Sequence, residues 1–186
     1  ALAAKLDPSG TSWLPFPFWW MGTFMAVAGR TLTNARVASI LLSSLAAPLP
    51  YVALRLIDVP RTRSLVATAF ALVTPWMLWS GATTVPESFT ATASAAAIIV
   101  LAARPSPLFA ALLACACLSR YEAWPVAAVA ATCLVARDRS RRSLAIAALC
   151  ALAPLVWMLW NAKAHGSPIH FFHRVSTFKR AIGAGS

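Results

Sequence analysis

The sequence predicts an all-α protein, a polytopic transmembrane helix bundle with about six spanning helices behind an N-terminal interfacial helix. Three observations carry that prediction. Hydrophobic residues make up 60% of the 186-residue chain, and the mean hydropathy is +0.71. Charged residues make up only 11%, where a soluble domain carries roughly 25%. A core built from such a chain would leave too little polar material to cover its own surface. The third observation is placement: the 16 basic residues fall in short breaks between apolar runs rather than on one solvated face. That placement argues against nucleic acid as a partner despite the net charge of +11, and points to membrane lipid. The apolar content also excludes disorder.

The elements follow in order. Residues 14–29 (LPFPFWWMGTFMAVAG) hold Pro15, Pro17, Trp19 and Trp20, with Trp13 just before them. Trp favours the membrane interface, so this run is expected to lie in it rather than cross. Further apolar runs cover residues 37–54, 65–85, 89–103, 108–118, 123–136 and 144–160. A span needs about 20 apolar residues, with a range of about 17–25. Three runs meet that length, one is borderline, and the pair around Arg120 is short. As one tilted helix, residues 108–136 would run through Pro125 and place Arg137 to Arg142 on the outer side. Two short helices with a connecting turn sunk below the outer surface avoid both problems. Residues 1–35 are then an outer loop and interfacial helix, 36–161 the transmembrane part, and 162–186 an outer-face tail. The chain is expected to be an internal piece of a longer protein.

Orientation follows from the breaks. Arg55, Arg61, Arg63, Arg104, Arg137, Arg139, Arg141 and Arg142 fall on one side if the chain crosses at every run from Val37 onward. By the bias of basic residues toward the cytoplasm, that side is inside. The outer side receives Glu87, the Arg120–Tyr121–Glu122 turn and everything after Asn161.

Few polar residues in this frame need a chemical reason. Glu87 follows Pro86 at the start of an apolar run, where a helix dipole favours an acid and where a carboxylate could equally serve an external cavity. Arg120 and Glu122 could neutralise each other, or Arg120 could hold a phosphate on its planar donor fork. The stretch WNAKAHGSPIHFFHRV supplies Lys163, His165, His170 and His173 as an interfacial anchor, a proton-handling group or a phosphate-binding loop. As a metal site, the spacing His-x4-His-x2-His lacks an assigned carboxylate, so no cofactor is expected. Cys115, Cys117, Cys133 and Cys150 sit within apolar runs and are expected to be small buried apolar residues. No Gly-rich phosphate-cradling motif supports a nucleotide site.

The features form an order. An aromatic interfacial segment opening with Trp13-Leu14-Pro15 precedes N-A-R-V-A-S, a basic inner turn and P-W-M-L-W-S-G-A-T-T-V. After these come P-E-S-F, S-R-Y-E-A-W and W-N-A-K-A-H-G-S-P-I-H-F-F. This order resembles the membrane half of the C-type glycosyltransferase superfamily, nearest its protein O-mannosyltransferase and lipid A aminoarabinose transferase branch. The resemblance implies an inverting enzyme that moves a sugar from a polyprenyl-phosphate carrier to a lipid, glycan or protein acceptor. It implies a bacterial inner (plasma) membrane with the active face extracytoplasmic. It gives Glu87 the acidic position that opens a helix after the second outer turn, and Arg120 a basic position near the hairpin turn. Glu122, Lys163, His165, His170 and His173 join Arg120 as candidates for binding substrate. Relatives often have Lys-Pro or His-Pro-Pro where this chain has Trp13-Leu14-Pro15, so the phosphate role falls to Arg120, Lys163 or His165. The family's principal catalytic acid lies upstream of this region, and Asp7 is the one outer-side acid before Trp13. The 186 residues are therefore expected to be inactive alone. A transporter or flippase, or a membrane subunit without chemistry, is the competing expectation.

Overall fold

The computed structural model describes residues 14–181, and among them every regular element is a helix. The candidate acid Asp7 and the start of the Trp13 motif lie outside the described residues, as do the side chains of Lys179 and Arg180.

The chain opens with α1 (Pro15–Ala28), which begins on a buried Leu14 and turns at Gly29 (φ 101°). Helix α2 (Leu32–Ala46) starts on Thr31, whose hydroxyl accepts from the Asn34 amide, satisfying a donor that a helix start leaves unpaired. A short break at Ala47 and Pro48 separates it from α3 (Leu49–Leu56). Helix α4 (Arg61–Leu72) is followed by α5 (Pro75–Gly81) at a bend of 74°. Residues 65–85 thus do not form the single straight run the hydropathy suggests. Pro75 has no amide hydrogen and drives Thr74 into extended backbone (φ −102°, ψ 145°), which stops the preceding helix. The Thr74 hydroxyl then caps α5 at Met77 N, 3.2 Å away.

The central element is α6 (Glu87–Ala103), which packs against α2, α3, α5, α7 (Pro107–Cys117) and α8 (Ala123–Arg137). Its inner face is built from small residues: Ala93, Ala96 and Ala97 are fully buried. Small side chains let backbones approach closely, which is how apolar helices associate where lipid removes the usual hydrophobic drive. Helix α9 (Arg141–His165) covers α7 and α8, runs unbroken through Pro154 and ends on Gly166 in the left-handed region (φ 74°). Beyond it, α10 (His170–Ala181) forms within the stretch that sequence reasoning expects to be an outer-face tail. Its apolar and basic residues are spaced to separate on a helix, and the chain uses that spacing.

Two interactions fix the ends of the bundle. Arg137, at the end of α8, donates through Nη1 to the Ala102 and Ala103 carbonyls that end α6. The Arg104 turn and the Arg137–Arg142 turn therefore share one end, as their common charge suggests. At the other end, the Leu14 amide donates to Ser119 O (3.0 Å) and the Phe16 amide to Leu118 O (2.9 Å). These bonds tie α1 to the turn between α7 and α8.

Among the described residues two helical stretches are long and apolar enough to cross a membrane, Leu32–Leu56 and Arg141–His165, or three if the bent pair α4–α5 is one span. The six spans expected from hydropathy are thus not all matched by helix length. Helices α6, α7 and α8 have 17, 11 and 15 residues, and at 1.5 Å per residue each falls short of a core about 30 Å thick. Large apolar side chains nevertheless face outward: Val27, Phe70, Trp76, Leu155, Val156 and Leu159 are all more than half exposed. Cys117 and Cys150 are buried, but Cys133 on α8 faces outward and Cys115 on α7 is half-buried.

Candidate functional site

The site forms where the first turn of α6 meets the turn between α7 and α8. Glu87 is the first residue of α6, where an acid complements the helix dipole. Arg120 sits in the turn that the amides of Leu14 and Phe16 hold in place. It donates from Nε to Glu122 Oε2 (3.0 Å), from Nη2 to Glu122 Oε1 (2.6 Å), and from Nη1 to Glu87 Oε1. Glu122 is thus held by a two-pronged pair, the geometry that gives Arg–carboxylate contacts their directionality.

The environments are unequal. The side chains of Arg120 and Glu87 are 18% and 23% exposed, and that of Glu122 is 64% exposed. Hydrogen bonding to Glu122 is the largest cause that holds the Arg120 guanidinium above its ordinary pKa; burial opposes it, and the charges of Glu122 and Glu87 add to it. Glu122 is held below the usual carboxylate range, first by hydrogen bonding from Arg120, against a smaller opposing effect of burial. The second oxygen of Glu87, Oε2, is buried and has no hydrogen-bond partner.

These groups border a cavity of about 340 Å³ lined by Trp76, Met77, Thr90, Ser94, Ala123 and Val126 among others. Glu87, Thr90, Ala91 and Ser94 form one stripe of α6 at spacings of three, four and seven. The stripe leads about 10 Å inward from the mouth. Trp76 forms part of the wall from α5. A second crevice of about 360 Å³ lies between α3, α4, α5 and α6 and is lined almost wholly by apolar groups, including Pro50, Leu54, Leu72 and Ile99. Met77 and Ala91 border both spaces, so the two lie side by side with these residues between them.

The other candidates gather beside this site without lining it. Trp157 Nε1 donates to the Tyr121 hydroxyl (3.4 Å), and Phe171 stacks on Tyr121. This brings the end of α9 and the start of α10 to the Arg120 turn. His165 and His170 stack with ring centroids 4.1 Å apart. Lys163 and His173 are exposed, and the His173 carbonyl accepts from Ser176 and Thr177. Among the described residues no group of three or more His, Cys, Asp or Glu is placed to hold a metal ion. Three of Arg120's nitrogens already face carboxylates, so the phosphate contact expected of it would have to displace one of them. Trp76, Thr90 and Ser94 were not singled out by sequence reasoning. Their signal is the spacing from Glu87 on an Ala-rich helix, and an aromatic directly after a helix-opening Pro75.

No protein-family model, curated protein or solved structure matches this chain.

Proposed function

We propose that this chain is part of an integral-membrane glycosyltransferase that takes a sugar from a polyprenyl-phosphate carrier on the extracytoplasmic face of a bacterial inner membrane. One observation carries the reading: a cavity bearing Glu87, Arg120 and Glu122 lies beside an apolar crevice between helices, with Met77 and Ala91 shared between them. A lipid-carried sugar needs that pairing of a hydroxyl-binding head space with room for a chain. In this reading α6, α7 and α8 also cross the bilayer, with the Arg120 turn sunk below the outer surface and reached by water.

The sugar sits between Trp76 and the Glu87–Ser94 stripe. Carboxylate and hydroxyl oxygens take its O–H donors, and the indole covers its apolar face. Glu87 orients the acceptor hydroxyl and receives its proton as the glycosyl bond forms. The carrier phosphate, the leaving group, joins sugar to chain and so lies between the cavity and the crevice, where Arg120, the cation of the cavity lining, turns from Glu122 to offset its charge. The acceptor is a lipid, glycan or protein.

The test uses the full-length protein in nanodiscs with undecaprenyl-phosphate-mannose, and undecaprenol as the control without a head group. Native mass spectrometry is expected to detect the phosphosugar bound at least tenfold more than undecaprenol, with the excess lost in Arg120→Ala. Equal binding of the two lipids would overturn the reading.

The 74° bend between α4 and α5 favours a second reading, a transporter or flippase, since transporters place discontinuous helices at their substrate sites. Movement of the same lipid across proteoliposomes without sugar transfer would select it.

A further inference from the structure

The outer face of α4 holds a shallow hollow of about 510 Å³ lined by Thr62, Arg63, Val66, Ala67 and Phe70. These residues recur at spacings of three and four, so they form one stripe of the helix. The stripe is polar at its start and apolar beyond. Thr62 and Arg63 are exposed, and Val66 and Phe70 are 63% and 85% exposed. From Thr62 to Phe70 it runs about 12 Å, most of one leaflet of a hydrocarbon core about 30 Å thick. Helix α4 begins toward the arginine-rich end of the bundle, because its far end leads through α5 to Met77, which shares a cavity with Glu87 at the start of α6. The turn into α4 also carries Arg55 and Arg61, against the single acid Asp58. Among the described residues the ion pairs are those of Arg120 with Glu87 and Glu122, so Arg61 and Arg63 have no carboxylate partner. A cation in the first turn of a helix opposes its dipole, and the stability of α4 therefore does not account for these two residues.

We propose that this face of α4 binds an anionic phospholipid of the surrounding bilayer, with its phosphodiester on Arg63 and one acyl chain along Val66, Ala67 and Phe70. Charge complementarity selects the occupant. The planar fork of a guanidinium matches two phosphate oxygens, the Thr62 hydroxyl has a proton to donate to the same group, and Arg61 adds positive potential. Basic pockets beside spanning helices are where anionic head groups collect. A zwitterionic phospholipid offers the same phosphate but brings an ammonium group to a turn already in positive excess, so it binds more weakly. The inference requires α4 to lie in the membrane and does not require sugar transfer. The crevice assigned to the carrier chain uses another face of α4, through Thr68, Ala71 and Leu72, with only Ala67 in common.

The test uses two probes with one diazirine-bearing acyl chain and different heads, phosphatidylglycerol and phosphatidylcholine. Each is added in trace amount to nanodiscs of unlabelled phosphatidylcholine that hold the full-length protein, and after illumination the labelled residues are located by peptide mass spectrometry. Residues 62–72 are expected to take at least fivefold more label from phosphatidylglycerol than from phosphatidylcholine. The exposed face of α9 at Leu152, Leu155 and Leu159 should take the two equally, as a surface in contact with bulk lipid. Arg61→Gln/Arg63→Gln is expected to remove the excess on α4. Arg139→Gln/Arg142→Gln takes the same charge from the other arginine-rich turn at that end, and should leave the excess within twofold of wild type. All four arginines are exposed, so folding is not at stake. Equal labelling of α4 by the two probes, or none, would overturn the proposal, and so would an excess that both double variants reduce alike. Because this readout does not involve Arg120, its failure leaves the sugar-transfer reading standing, and the converse also holds.

Discussion

Phe171 lies flat on Tyr121, with ring centroids 4.3 Å apart and planes 14° from parallel. Trp124 meets both rings edge-on, at 5.2 and 5.4 Å. The aromatic cluster therefore fastens α10 to the turn that holds Arg120. Stacked and edge-to-face pairs add about 0.5–1.5 kcal/mol each beyond area burial. Phe171→Ala is expected to cost about 1–2 kcal/mol and to free α10 locally. Hydrogen exchange should show amides 170–181 losing protection while those of α6 keep theirs.

Arg120 joins two carboxylates, its near neighbour Glu122 and Glu87, which lies 33 residues before it in sequence. Arg120→Ala leaves Glu87 facing a half-buried site without a counter-charge. Removing one partner of a buried pair costs about 3–5 kcal/mol; partial exposure brings the expected loss to about 1–2 kcal/mol. Adding Glu87→Gln to Arg120→Ala should restore part of it, so the double-mutant cycle should show coupling. Denaturant or thermal unfolding of the four proteins in one detergent provides the measurement.

Glu122 gives a pH signature. Its carboxyl is held below the ordinary range by Arg120, so its contribution is complete above the unfolded-state pKa of about 4.3. That contribution is lost as pH falls through the lower folded-state value. Below about pH 4.3, the wild-type melting temperature is expected to fall more steeply with acidification than that of Glu122→Gln. The exposed position of Glu122 keeps the difference within about 1 kcal/mol. Asp138 is also held low, first by the Ser140 hydroxyl; its effect is common to both proteins and cancels.

Two glycines should respond oppositely to alanine. Gly166 ends α9 at φ 74°, a region where a Cβ is strained, so Gly166→Ala is expected to cost about 1 kcal/mol. Gly81 is helical, and an added Cβ would meet Ser88 Oγ at 3.6 Å and Ser43 Cβ at 3.7 Å, ordinary contact distances. Gly81→Ala is therefore expected to be neutral or stabilising by a few tenths of a kcal/mol, the helical preference being free to act. Melting temperatures of both variants decide the matter.

Much of this was legible in the sequence, for identifiable reasons. Helix identity follows from apolar runs bounded by Pro, Ser and Arg, and the Arg120–Glu122 pair is two residues apart. The Glu87–Arg120 contact was not legible, because no local pattern sets the register between α6 and the α7–α8 turn. The same holds for Trp157 reaching Tyr121 across 36 positions. The bend at Thr74 was overlooked because hydropathy averages across Pro75, while backbone hydrogen bonding does not. The number of spans differs because apolar composition continues through turns where helical geometry stops. Helix α10 was missed because its three basic residues and two His lower its mean hydropathy without disturbing its helical spacing.

The bonds from Leu14 and Phe16 to Ser119 and Leu118 also bear on how the protein is made. Donor and acceptor are roughly a hundred residues apart, and a ribosome adds about 5–20 residues per second. Once α1 emerges, roughly 5 to 20 s pass before the carbonyls that receive it exist. Through that interval α1 lacks the turn on which it finally docks, and the Arg120 turn cannot take its final form until α1 returns to it. Helix α1 is thus docked about a hundred residues after it is made, and substitutions at Leu14 should show first as slow assembly rather than as a defect in the finished site.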